Sequence, residues 1–292
     1  MYESNNFKID FFCIGAAKCG STWLATCLDE HPQVTIALEK EPNFFVKRLS
    51  AFNGKINENY MKDWNWYKEC FAHAKENSKL GDMSINLIHN IPEAPLNIKK
   101  YFPNAKFIVM LRDPVKRTYS HYWHEKLRDK VPGVPKTFEE ALKNKELLFR
   151  SNYYSQLSEW FKVFPQDQFF IILDIDLKKD VLAIWKSLCS FLDIDTNFIP
   201  PSLYKKVNEA TKMTWYFYCS KKIAAFLRYI KLAAIIDIAR DIGILSFLKK
   251  NAYVRSPYPS INLETEKKLR KYFLADIEKL EELIKRDLSE WK

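Results

Sequence analysis

Lys18-Cys19-Gly20-Ser21-Thr22-Trp23 lies just past an apolar run, Phe11-Phe12-Cys13-Ile14, across Gly15-Ala16-Ala17, and brings together an ammonium, two hydroxyls and consecutive backbone N–H groups. Gly15 and Gly20 bound the turn at a G-x-x-x-x-G spacing. A glycine-bounded turn that opens a helix is suited to a phosphate or sulfate, because the amides converge on the anion and the helix dipole adds to them. A nucleotide triphosphatase would carry a lysine after the second glycine; Ser21 stands there, and the charge comes instead from Lys18 inside the turn. A plain strand-to-helix turn would also use two glycines.

A second segment of the same kind is Arg112-Asp113-Pro114, with Ser120 two turns further on. Phe107 to Leu111 is an unbroken apolar run, the pattern of a central strand covered on both faces. Asp113 caps a helix whose first residue is Pro114. Arg112 therefore falls at the carboxyl edge of the sheet, where open α/β sheets bind ligands. Ser120 reaches the same ligand if its helix face turns toward Arg112. By itself, this segment reads first as a local Arg112–Asp113 ion pair plus a helix cap.

Together the two segments resemble the sulfotransferases that use 3′-phosphoadenosine 5′-phosphosulfate (PAPS). In that family a loop similar to Lys18-Cys19-Gly20-Ser21-Thr22 binds the 5′-phosphosulfate. A segment similar to Arg112-Asp113-Pro114-Val115-Lys116-Arg117-Thr118-Tyr119-Ser120-His121-Tyr122 binds the 3′-phosphate through its Arg and Ser. His31-Pro32-Gln33-Val34, Lys40-Glu41-Pro42-Asn43-Phe44-Phe45, Trp160 to Pro165 and Asp287 to Trp291 extend the likeness along most of the chain, closest to the heparan sulfate and bacterial carbohydrate branch. The resemblance implies a PAPS site of Lys18, Cys19, Gly20, Ser21, Thr22, Trp23, Arg112, Ser120 and, from a late loop of ambiguous register, Arg255. It implies adenosine 3′,5′-bisphosphate as product, Lys18 as the cation at the bridging oxygen, and Glu41 as the base that takes the acceptor proton. A carboxylate beside Phe44 and Phe45 would be partly desolvated, which favours a base. His121, His124 and Asp82 are the alternatives. Two departures stand out: Met83 replaces the second catalytic lysine of the heparan sulfate enzymes, and their K-G-R loop is absent. Lys205-Lys206-Val207-Asn208 corresponds by order to a segment before the lid.

These residues need a scaffold of alternating strands and helices. Apolar runs predict strands at Ile9–Ile14, Lys79–Met83, Lys106–Leu111 and Gln168–Leu173, with a weaker one at Val34–Ala37; periodicity predicts helices at Thr22–Glu30, Pro114–Lys126, Asn152–Phe164, Val181–Leu192 and Leu263–Arg286. The expected fold class is α/β, a P-loop-like central parallel sheet flanked by helices. Without a repeat or linker, residues 1–292 read as one domain, with about 197–256 as a helical lid or acceptor-side insertion.

The net charge of +10 suits a ligand carrying phosphates and a sulfate, whereas 46 basic residues interspersed with 36 acidic ones form no nucleic-acid module. Six scattered cysteines, with no zinc spacing, predict reduced thiols and no metal site. The apolar stretch Ile223–Leu248 is broken by Arg228, Lys231, Asp237, Arg240 and Asp241, so it reads as a core helix and not as a stable membrane insertion. No secretory leader is apparent at the start of the sequence, and Golgi members of the family carry an anchor; the expected location is cytoplasmic. The reading is thus an enzyme moving a sulfuryl group from PAPS to a hydroxyl or amine of a glycan or small metabolite, with the oligomeric state open. A P-loop kinase or NTPase using Mg²⁺ at Thr22 and Asp113, and a non-catalytic anion-binding module, are the alternatives.

Overall fold

The computed structural model describes residues 7–127, 133–205, 211–213, 253–255 and 258–292. The chain divides into two units, residues 1–207 with 261–292, and residues 208–260.

The larger unit is built on a parallel sheet. Its strands are β1 (Phe11–Gly15), β2 (Val34–Ile36), β3 (Lys79–Asp82), β4 (Lys106–Leu111) and β5 (Phe169–Leu173), in the order β2-β3-β1-β4-β5. β1 and β4 are apolar because they lie mid-sheet with both faces covered, and every residue of β1 is buried. The chain leaves β1 toward β3 and β2, then returns to the other side for β4 and β5. The crevice between the carboxyl ends of β1 and β4 is therefore the topological switch point, where such sheets bind ligands. The two strand ends are joined there: Ala16 N–H donates to Met110 O at 2.7 Å. Gly81 of β3 lies under the Phe11 ring, close enough that any Cβ would overlap it.

Around the sheet lie α1 (Ser21–Glu30), α2 (Trp64–Glu69), α3 (Glu93–Tyr101), α4 (Pro114–Leu127), α5 (Phe138–Ala141), α6 (Lys145–Phe149), α7 (Tyr153–Val163), α8 (Asp174–Lys179), α9 (Val181–Leu192) and α10 (Leu263–Ile284). In α10, Thr265, Leu269, Phe273, Ile277 and Leu280 form the buried stripe, the spacing of an amphipathic helix on a core. The parallel sheet and the five long helices agree with the sequence reading to within about two residues at each end. Helices α2, α3, α5, α6 and α8 were not expected. Two of them are set by side-chain caps: Thr137 and Glu140 form a reciprocal capping box on α5, and Asn144 accepts from Glu146 and Leu147 N–H on α6.

In the second unit the described residues form an antiparallel pair, β6 (Thr211–Met213) with β7 (Tyr253–Arg255). The helix expected within Ile223–Leu248, and residues 206–208 of the pre-lid segment, lie outside the described residues.

Candidate active site

Gly20 is the N-cap of α1 at φ +104°, a conformation that L side chains rarely adopt, and an added Cβ would lie 3.1 Å from Met110 Cε. It offers no side-chain cap, and the first turn of α1 holds no acidic residue. The Ser21, Thr22 and Trp23 amides are first-turn donors without intrahelical partners, which gives this helix end its affinity for an anion. The Cys19 amide drops out of the expected set, because it donates to Ala16 O at 3.3 Å to close the turn. The Cys19 side chain is buried, with Sγ 3.8 Å from Tyr153 Oη, and burial pushes the thiol up to about 11. It is a packing residue of the loop.

Lys18 lies at φ +73°, half-buried, with Nζ 3.4 Å from His124 Nδ1. Ser21 is buried and Thr22 half-buried. Trp23 donates its indole N–H to Leu203 O at 3.0 Å, tying α1 to residues 200–205.

The second motif folds as its composition dictates. Asp113 Oδ1 accepts from Val115 N–H (2.9 Å) and Lys116 N–H (3.3 Å), capping α4. Its ion pair, however, is made with Arg270 of α10 at 3.1 Å and with Lys116 at 3.7 Å, in place of the Arg112–Asp113 pair the plain reading offered. The half-buried Arg112 stays outside that network at the carboxyl end of β4. Ser120 and His124 are one turn apart on α4 and share a face; since His124 meets Lys18, that face turns to the phosphate loop.

Two residues outside the expected set brace the site. Arg117, fully buried, donates from Nε to Ala17 O at 3.0 Å and from Nη1 to Ser151 Oγ at 3.4 Å, so α4 grips the loop backbone. Tyr153 donates to Arg112 O at 3.0 Å and touches Cys19 Sγ, linking both anion motifs. Arg117 was visible as the second arginine of R-D-P-x-x-R; Tyr153 carried no signal beyond an aromatic at the start of α7.

Glu41 lies in the loop after β2. Phe44 and Phe45 anchor that loop by burying their rings, Phe44 stacked on Tyr67 at 4.6 Å. Asn43, at φ +55°, donates from its side chain to Glu41 O at 2.7 Å and from its backbone to Ser84 Oγ at 2.8 Å. The Glu41 side chain remains 29% exposed, with Oε1 3.9 Å from Lys40 Nζ. Two alternative bases are sequestered. Asp82 is buried and accepts from Tyr67 Oη and Ser84; burial raises its pKa against those hydrogen bonds. His121 is buried with neither ring nitrogen partnered, and burial with Arg117 and Arg150 nearby holds its pKa well below the usual range. His124 alone of the alternatives faces the loop. Arg255 is in β7, opposite Thr211 in register; its side chain lies outside the described residues. Among the described residues no His, Cys, Asp or Glu group is placed to hold a metal, and no helix is long and apolar enough to cross a membrane.

A parallel sheet in this order, with a glycine-capped helix start and an arginine at the ends of two adjacent strands and a carboxylate on the loop following a third, is an α/β scaffold of the class that binds ligands at its switch point. Residues 8–233 match the sulfotransferase domain, and the chain belongs to the sulfotransferase family. It is 27% identical over 198 residues to the human bifunctional heparan sulfate N-deacetylase/N-sulfotransferase 3, covering 63% of this chain and 22% of that protein. It is 33% identical over 141 residues to the Dictyostelium discoideum membrane-associated sulfotransferase kil1, covering 46% of this chain and 27% of the other. The chain thus aligns with about a quarter or less of the length of these curated relatives. A sulfotransferase from Alicyclobacillus acidocaldarius shares the fold over 98% of this chain and 99% of its own, with a TM-score of 0.69 at 22% identity.

Proposed function

We propose that this chain transfers a sulfuryl group from PAPS to an acceptor of the amino-sugar or sugar-hydroxyl class. The observation that carries the reading is the pairing of two anion cradles across β1 and β4, bound to each other through Arg117 and Tyr153, with Glu41 on the neighbouring loop. The uncapped start of α1 and the positive φ of Gly20, which keeps the turn free of a side chain, fit a phosphosulfate. Lys18 and the Ser21–Trp23 amides would hold that group, and Arg112 with Ser120 the 3′-phosphate. PAPS supplies an activated sulfuryl on a phosphate leaving group. Glu41 takes the acceptor proton, and Lys18 neutralises charge where the phosphate departs; the rest of the catalysis is positioning. The amino-sugar acceptor rests on the names of the heparan sulfate relatives. An NTPase is disfavoured because Asp113, the carboxylate expected to join Thr22 in holding magnesium, is committed to Arg270.

Calorimetric titration tests the cofactor half. Adenosine 3′,5′-bisphosphate binds without metal, and ATP–Mg²⁺ binds far more weakly. Arg112→Ala weakens the bisphosphate by about 10–100-fold, the scale of one charge-assisted hydrogen bond, while leaving adenosine 5′-phosphate nearly unchanged. Equal loss for both ligands refutes the assignment of Arg112 to the 3′-phosphate.

A further inference from the structure

The family resemblance leaves one charge unaccounted for, because Met83 occupies the position of a second lysine. Met83 is fully buried, so neither its side chain nor its position offers a cation to the site. Resting on the reading above, we infer that Lys40 supplies that cation, entering from the loop after β2 to contact the transferring sulfuryl group. Its Nζ donates to Thr22 Oγ1 at 2.9 Å, in the first turn of α1, and lies 3.9 Å from Glu41 Oε1. It therefore bridges the helix end that holds the anion and the carboxylate that receives the proton.

A neighbouring Lys–Glu contact on a surface would by itself carry little meaning. The contact with Thr22 is different, since it crosses from one loop to another and brings an ammonium to a helix N-terminus already short of negative charge. Repulsion between cation and dipole opposes that placement, the Glu41 carboxylate offsets part of it, and a bound anion would offset more. An ammonium retains donors beyond the one spent on Thr22, and a sulfuryl oxygen at the end of α1 would take one.

In the reaction the acceptor O–H or N–H gives its proton to Glu41. The acceptor atom forms a bond to sulfur as the bond from sulfur to the bridging oxygen breaks, its electron pair remaining on the phosphate of adenosine 3′,5′-bisphosphate. Negative charge is spread over the sulfuryl oxygens throughout and grows on the bridging oxygen. Lys18 meets the second and Lys40 the first. Two lysines then divide the work as Lys18 and the residue replaced by Met83 would have done, from a different strand end.

The test uses the whole chain and two ligands. The first is adenosine 3′,5′-bisphosphate; the second is a PAPS analogue with a methylene in place of the bridging oxygen, which carries the sulfuryl but cannot transfer it. Lys40→Met weakens the analogue about tenfold and leaves the bisphosphate within about threefold, the scale of one hydrogen bond to a charged group. The kcat for ³⁵S transfer from PAPS, to a glucosamine oligosaccharide or to water, falls by about 10²–10³-fold. Added ethylamine restores part of the rate to Lys40→Ala. Equal weakening of both ligands, or no change in the analogue and in kcat, overturns the role of Lys40. Failure of the unmodified protein to bind the bisphosphate overturns the sulfotransferase reading itself, and this inference with it.

Discussion

At Lys18 the backbone adopts φ +73°, a region that costs a side-chain-bearing residue about 1–2 kcal/mol. Glycine would relieve that cost at an entropic penalty of about 0.5–1 kcal/mol. Lys18→Gly is therefore expected to keep or slightly raise the melting temperature while bisphosphate affinity falls by at least tenfold; a marked loss of stability would show that the lysine is there for packing. The position of Arg112 at the end of β4 was legible in the sequence because an apolar run and a Pro-started helix bracket it, whereas Glu41 was singled out only through the family resemblance. The Lys40–Thr22 bridge was not legible, since it depends on where the loop after β2 lies. Nor was the Asp113–Arg270 pair, whose members are far apart in the chain and meet only when α10 packs against α4.

The elements share the task of holding the two cradles in register. Tyr153, at the first turn of α7, is the narrowest link: its hydroxyl serves Arg112 O, and the ring is buried. Tyr153→Phe leaves that carbonyl without this donor, at a cost of about 1–3 kcal/mol. Thermal or urea unfolding reads the loss, and bisphosphate affinity is expected to fall with it. Unchanged stability would mean that the carbonyl finds another donor and that α7 does not position Arg112. The long elements were legible for a simple reason: β1 and β4 are apolar runs because both faces are covered, and α9 and α10 carry one apolar stripe each. Helices α2, α5, α6 and α8 escaped because fewer than two turns leave too few positions for a period to show, and the caps of α5 and α6 look like loop chemistry.

For the whole larger unit, pH dependence exposes a feature that no motif encodes, a buried group of cations and histidines behind the phosphate loop. His89 and His121 are both held well below the usual histidine range by burial and by the charges of Arg117 and Arg150, with His124 and Glu125 also close. The folded form refuses a proton that the unfolded form accepts near pH 6.5. Stability is thus complete above that pH and declines as pH falls through it, by up to about 1.4 kcal/mol per pH unit for each histidine. The carboxyls Asp82 and Asp276, raised by burial, act with the opposite sign. They cancel when the protein is compared with a His121 variant. Since neither ring nitrogen of His121 has a partner, His121→Met is expected to cost little at pH 7 and to become progressively more stable than the parent from pH 7 to 5. Parallel stability curves would show that His121 takes up its proton in the folded state.

On the proposed function, Glu41 serves the chemistry and the loops at the ends of β1 and β4 serve the binding. The most direct measurement is ³⁵S transfer from PAPS by the parent and by Glu41→Gln, paired with calorimetric titration of adenosine 3′,5′-bisphosphate on both. Turnover by Glu41→Gln is expected to fall by about 10²–10⁴-fold, the scale of general-base catalysis, with bisphosphate affinity nearly unchanged. Near-normal turnover by Glu41→Gln would contradict it and move the base to His124; bisphosphate binding without any sulfated product from the parent would point to a non-catalytic anion-binding protein.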